Sequence, residues 1–227
     1  MSSQPAGADL YQLTVRGAPI PDSLEKARSL HNQTAGANAS VAAARKLGDL
    51  SHNVYTPLDS DGTLELLFLD TWNSVEGLAE FFADPGVIEA AGQLFEDREG
   101  IVWMPAEGFG SFSLLTPSSR PPVALGLLRA TLDLVEAGRA AFAAQTARTI
   151  NAARVHGLIS HQVFMRMPAV PGEQAPPEVL GLDHWNDVEG MNRFYADLEN
   201  YREFDGAFTG PPQTSAWRPA PGDWREW

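Results

Sequence analysis

The sequence predicts an α+β fold: two tandem ferredoxin-like (βαββαβ) domains, residues 8–115 and 123–227, packed as an intrachain pseudo-dimeric α/β barrel. A linker, TPSSRPP at 116–122, joins them. Three observations predict this. LDTWNSVEGLAEFFAD (69–84) returns as LDHWNDVEGMNRFYAD (182–197), about half a chain later. Further blocks match in the same order: Arg16 with Arg129, Gln33–Thr34 with Gln145–Thr146, GDLSHNVY (48–55) with GLISHQVF (157–164), and WMPAEG (103–108) with WRPAPG (217–222). Within each copy, period-two strands alternate with helical periodicity.

Each element follows from local pattern. YQLTVRG (11–17) alternates and reads as a strand. Asp22 with Glu25 reads as a capping box opening one long Ala-rich helix to about Leu47, and Gly48 suits the left-handed position that ends it. In copy two Asp133 with Glu136 starts the helix and Gly157 ends it. LSHNVYT (50–56) is the second strand, Asp59–Gly62 a turn, and LELLFLDTW (64–72) the third strand. Copy two replaces that turn with the longer loop PAVPGEQAPP. Asn73 with Glu76, and Asn186 with Glu189, read as capping boxes for the next helix. Asp84–Pro85 starts a further helix, since proline suits the first helical position. GIVWMP (100–105) and TSAWRP (214–219) close each unit as strands. A four-stranded sheet with its helices on one face must bury the other, and two copies in one chain supply the cover.

Composition narrows the function classes. With 16 Lys and Arg against 29 Asp and Glu the net charge is −13, and both halves are acidic. A nucleic acid or an anionic membrane surface needs a basic face, so neither is an expected partner. There are no cysteines, which excludes disulfides, thiolate nucleophiles and Cys-based zinc sites. The N-terminus lacks the charge and apolar core of a secretory signal, and no apolar run approaches a membrane span, so a cytoplasmic location is expected. No phosphate-binding Gly loop, His-x-x-x-His pair or nucleophile elbow occurs, so neither metal nor nucleotide cofactor is expected.

The residues that can carry chemistry come in pairs. His52 and His161 each follow a serine in a second strand, where an imidazole near neutrality can serve as a base. The alternative is a neutral buried imidazole bonded to its neighbours, and a two-histidine metal site lacks a third ligand at recognisable spacing. Asp70 and Asp183 are candidate bases or orienting carboxylates; the alternative pairs them with Arg16 and Arg129. Trp72 and Trp185, with Phe68 and Phe82, are candidate walls for a flat substrate, or else the tryptophans are strand-end core residues. His31, His156 and His184 have no histidine partner in the other copy and read as surface or incidental residues. Gly181 in place of Phe68 and His184 in place of Thr71 make the two pockets unequal.

The run from Gly48 to Pro85, G-x-x-S-x-x-V … L-x-F-L-D-x-W-x-S-x-E-x-L-x-x-F-x-x-D-P, resembles the antibiotic-biosynthesis monooxygenase (ABM) family. The resemblance implies small βαββαβ units that pair into an α/β barrel. It also implies a cofactor-independent monooxygenase for a small aromatic or quinol-type compound, with a dry pocket and a base. The same scaffold also carries isomerases, lyase-like proteins and non-catalytic binders of small molecules, which are the alternatives. Haem-degrading relatives bring a helix histidine where this chain has Ala91–Gly92 and Phe204–Asp205, so haem is not expected. Catalysis is separated from binding by whether the histidines and aspartates converge on one cavity.

Overall fold

The computed structural model describes residues 10–59, 62–114, 122–168 and 176–227. All of the predicted linker but Pro122 lies outside them, as do Ser60 and Asp61 of the predicted turn and most of the PAVPGEQAPP loop. The chain is α+β and forms two compact units. One comprises the chain up to Met104 together with Pro219–Trp227, the other Pro105–Arg218. Pro219–Trp227 thus belongs to the unit built by the first half of the chain, and the segment that follows Met104 to the unit built by the second half.

In the first unit the elements are β1 (Tyr11–Pro19), α1 (Leu24–Gln33), α2 (Asn38–Lys46), β2 (Asp49–Pro57), β3 (Leu66–Trp72), α3 (Val75–Ala83), α4 (Pro85–Leu94) and β4 (Phe95–Pro105). The strands lie in the antiparallel order β4-β1-β3-β2. The second unit has β5 (Phe112–Ser113), β6 (Ala124–Thr131), α5 (Val135–Val155), β7 (Leu158–Arg166), β8 (Glu178–Trp185), α6 (Val188–Ala196), a 3-10 helix (Leu198–Phe204) and β9 (Gln213–Pro219). Its order is β9-β6-β8-β7, with β5 added on β7.

Several local expectations are corrected by one position. Ser23, not Asp22, caps α1 by accepting from Lys26 N–H, while the Asp22 carboxylate holds the Lys26 ammonium at 2.8 Å. Ser74 rather than Asn73 caps α3, accepting from Gly77 N–H at 2.9 Å. At α5 and α6 the capping positions are Leu134 and Asp187, and neither makes a side-chain cap bond. α4 starts at Asp84–Pro85 as expected, and Asp84 caps it, accepting from Gly86 and Val87 N–H. Gly48 and Gly157 adopt positive φ, +107° and +96°, where a side chain would be strained.

The predicted single long helix of copy one is two helices, broken over Thr34–Ala37. Its counterpart α5 runs unbroken for 21 residues. The break is built by the tail. A Cβ on Gly36 would meet Arg225 Cβ at 2.7 Å, and the Asn32 carboxamide is spent on the tail backbone, donating to Asp223 C=O and accepting from Arg225 N–H. The core of the first unit gathers Ala27, Val54, Leu66, Phe68 and Phe95 with Trp224 from the tail. That of the second gathers Phe142, Leu132, Val163 and Val179 with Phe109 from the other tail.

Candidate functional site

Each unit places its histidine and its aspartate on neighbouring strands in direct register. His52 on β2 faces Asp70 on β3, and His161 on β7 faces Asp183 on β8. Directly opposed residues share a sheet face, so the side chains meet. In both pairs the imidazole Nδ1 lies 2.6 Å from the aspartate Oδ1. Arg16 and Arg129 do not pair with these aspartates. They bind Glu65 and Glu178 at 2.6 and 2.7 Å.

A cavity opens beside each dyad, and each is lined by residues of one unit. The first, of about 780 Å³, is lined by His52, Asp70, Asp49, Phe68, Phe82 and Trp227 among others. The second, of about 580 Å³, is lined by His161, Asp183, Gly181, Phe142, Tyr195 and Phe204 among others. The histidines and aspartates of each unit thus converge on one cavity. Trp72 and Trp185 line neither. Both are fully buried, with Trp72 under Phe81 and Phe82 of α3 and Trp185 against Phe194 and Tyr195 of α6. They hold strand to helix and do not wall a pocket.

The dyads differ at the far nitrogen of the histidine. In the first unit His52 Nε2 lies 3.0 Å from Nε2 of His31 on α1. His31, incidental by its lack of a partner in the sequence, is completely buried and stacked at 7° to His52. The protons of this relay can be placed. Asn32 Oδ1 accepts from the Arg225 backbone N–H, so it is an acceptor also toward His31 Nδ1 at 3.0 Å. His31 Nδ1 must therefore donate, and in a neutral ring its Nε2 must accept. His52 Nε2 then carries a hydrogen and points it at His31.

The electrostatics agree with that placement. Burial works against charge on His52. The Asp70 carboxylate overcomes it through charge and hydrogen bond, helped by Asp49 and Glu226, and the pKa ends above the usual histidine value. Burial first, and then the His52 charge, push His31 down to about 4. His52 is an occupied proton carrier, its lone pair unavailable to a substrate.

In the second unit the far nitrogen faces no second histidine. α5 presents Phe142 to His161, with ring centroids 6.4 Å apart, where α1 presents His31 to His52. His161 Nε2 is buried and has no hydrogen-bond partner among the described residues. Behind it Asp183 is doubly held: its Oδ2 accepts from the Tyr195 hydroxyl at 2.8 Å, and that hydroxyl accepts from Trp185 Nε1–H at 3.1 Å. Burial and the Asp183 charge raise the Tyr195 pKa well above its ordinary value, so it stays a phenol and a donor. With Nδ1–H given to Asp183, the lone pair of the imidazole ring falls on Nε2, beside a largely apolar cavity that His161 lines.

The tails complete both sites, and sequence reasoning missed them. His52 and Trp227 exchange backbone hydrogen bonds at 2.8 and 3.2 Å, and the Trp227 indole stacks on the His52 ring at 4.6 Å. Phe112 stands opposite His161 in the same way. The spacing Phe109-x-x-Phe112 against Trp224-x-x-Trp227 was the available signal. The positions of a haem-type helix ligand fall at Ala91–Gly92 on α4 and at Phe204–Asp205, with no nitrogen donor, so a haem held by that route does not fit.

No protein family and no curated protein matches the chain. Its fold is similar to solved structures at low identity. An anthrone oxidase-like protein shares 14% identity at a TM-score of 0.64, with 94% of this chain and 92% of that one covered. A "putative monooxygenase" from Lactobacillus acidophilus NCFM shares 9% at 0.62, covering 92% and 93%. A chlorite dismutase from Candidatus Nitrospira defluvii shares 12% at 0.53, covering 95% and 93%. These neighbours have the dimeric α/β barrel fold, and at such identity the likeness speaks for fold alone.

Proposed function

We propose that the second unit is the active site of a cofactor-independent monooxygenase acting on a small aromatic or quinol-type compound. His161 is the general base, Asp183 its orienting carboxylate, and the apolar cavity excludes water from the anion. The observation that carries this is the buried, partnerless His161 Nε2 at the cavity wall, backed at Nδ1 by Asp183. The neighbours named anthrone oxidase-like and monooxygenase support oxygen chemistry on this scaffold. The tandem ferredoxin-like reading and the internal duplication are supported by the matching strand orders of the two units.

In an anthrone-type substrate the methylene between the two aryl rings is acidic because its carbanion is conjugated with the ring carbonyl. His161 Nε2 takes a C–H proton. The carbanion gives one electron to O2, and the two radicals combine as a hydroperoxide anion, which regains the proton. Loss of water leaves the ketone, so substrate and O2 become ketone and water. His161 and Asp183 end as they began.

Oxygen uptake by metal-free protein, against a panel of anthrones and hydroquinones, tests the reading. The wild-type chain and His52→Ala are expected to consume oxygen above background, and His161→Ala to lose at least about a hundredfold, the usual scale of a general base. Uptake no faster than the uncatalysed reaction, or uptake lost in His52→Ala but kept in His161→Ala, would overturn it.

A further inference from the structure

One buried carboxylate has no part in the chemistry above. Asp49 opens β2 opposite Trp72, and the register then slips, so that Ser51 faces Thr71. Residues three apart on a regular strand point to opposite faces, but one extra residue at a bulge returns them to the same face. Leu50 is that residue, half exposed. Asp49 and His52 consequently line the same cavity.

Asp49 is 3% exposed, its Oδ2 accepts from Trp227 Nε1–H at 3.2 Å, the Ser51 backbone N–H acts on the carboxylate, and Oδ1 is buried with no well-formed hydrogen bond among the described residues. The second unit has the same bulge, with Leu158 opposite Trp185. The fold therefore accepts leucine at this place. A half-satisfied buried carboxyl costs stability for the bond it does not make, and the one side-chain bond it does make, from the Trp227 indole N–H, has no counterpart at Leu158.

We propose that the cavity of the first unit is a binding site for a neutral, flat, apolar molecule bearing one hydroxyl group, which docks at the Asp49 carboxyl. Phe68, Phe82 and the Trp227 indole supply flat apolar surface, and the cavity has room for two or three fused rings. A hydroxyl can both donate and accept, so it pairs with Asp49 whether the carboxyl is ionised or not. An anion would meet Asp49 and Asp70 together. A cation would meet the proton already held on His52. This inference stands apart from the oxygenase reading, because it concerns the other cavity and is read by binding.

The test is a fluorescence titration of the full chain with 2-naphthol, naphthalene and 2-naphthylmethylammonium, using wild type, Asp49→Asn and Asp49→Leu. The leucine copies the second unit, and a melting curve checks its folding. Naphthol affinity at one site is expected to fall about tenfold or more in Asp49→Leu and by less in Asp49→Asn, whose amide still meets a hydroxyl. Naphthalene should not distinguish wild type from Asp49→Leu. Equal naphthol binding by wild type and a folded Asp49→Leu would overturn the site. Tighter binding of the ammonium than of naphthol would overturn the ligand class.

Discussion

His31 and His52 meet nitrogen to nitrogen, Nε2 to Nε2, at 3.0 Å inside the first unit. One must donate and the other accept, and the Arg225 backbone N–H, through Asn32, settles which. A tautomer in the cavity is thus set by the chain's last few residues.

The proton on His52 Nε2 is directly observable. Nitrogen NMR of the ring should show His52 keeping both ring protons to a higher pH than a free imidazole does, and His31 neutral down to about pH 5, in keeping with its fall to about 4. The raised His52 pKa contributes stability that is complete below the unfolded value near 6.5 and is lost as pH rises through the folded value. A His31 signal that titrates near 6.5 would contradict the relay.

Asp49 gives a second pH dependence. Burial, and then the Asp70 charge, push it from 3.8 up to about 7. Between those values the folded chain holds a proton that the unfolded chain has released, so this group's contribution falls as pH rises across that window and is flat above it. Asp49→Leu should remove the slope. Denaturant melts should show its gain over wild type to be larger at pH 8 than at pH 4.5, by about 1–3 kcal/mol at the higher pH.

Gly181 is the room in the second cavity. It stands opposite Val163 as Phe68 stands opposite Val54 in the first unit. An added Cβ would meet nothing closer than Leu128 Cβ at 3.7 Å. Gly181→Phe should therefore fold, fill the cavity and abolish oxygen uptake with the dyad intact. Undiminished uptake in a folded variant would place the substrate elsewhere.

Tyr195 fixes Asp183 from behind, and Gly126 makes room for it. A Cβ on Gly126 would sit 2.1 Å from the Tyr195 hydroxyl. Tyr195→Phe leaves the Trp185 N–H and one Asp183 oxygen without this partner and should cost about 1–3 kcal/mol in thermal or denaturant unfolding. Gly126→Ala, which displaces the same hydroxyl, should lower kcat in the same direction, while KM changes little.

The sequence carried more of the scaffold than of the site. The duplicated segment and the alternation around His52, Asp70, His161 and Asp183 placed four side chains on adjacent strands in two equivalent positions. What escaped it was non-local. His31 looked incidental because nothing nearby in sequence says that α1 turns it onto β2. Asp49 drew no notice because a bulge, and the facing it reverses, leaves no periodic mark. The α1–α2 break escaped because its cause, Arg225 against Gly36, lies at the far end of the chain. Trp72 and Trp185 drew attention by their repetition, yet a strand-end tryptophan under a helix repeats for packing alone.

The exchange of tails sets an order of assembly. The first unit is the first to be synthesised and the last to be finished, since Trp224 and Trp227 are made after the whole second unit. At about 5–20 residues per second, the half-built unit waits on the order of ten seconds. During that interval the β2 backbone at His52, the Asn32 carboxamide and the Asp49 carboxyl all lack the partners they will have. The second unit has no such wait, because its borrowed segment, with Phe109 and Phe112, leaves the ribosome before the strands it joins. Maturation of the His52 cavity is therefore a late event, separable in time from that of the His161 cavity.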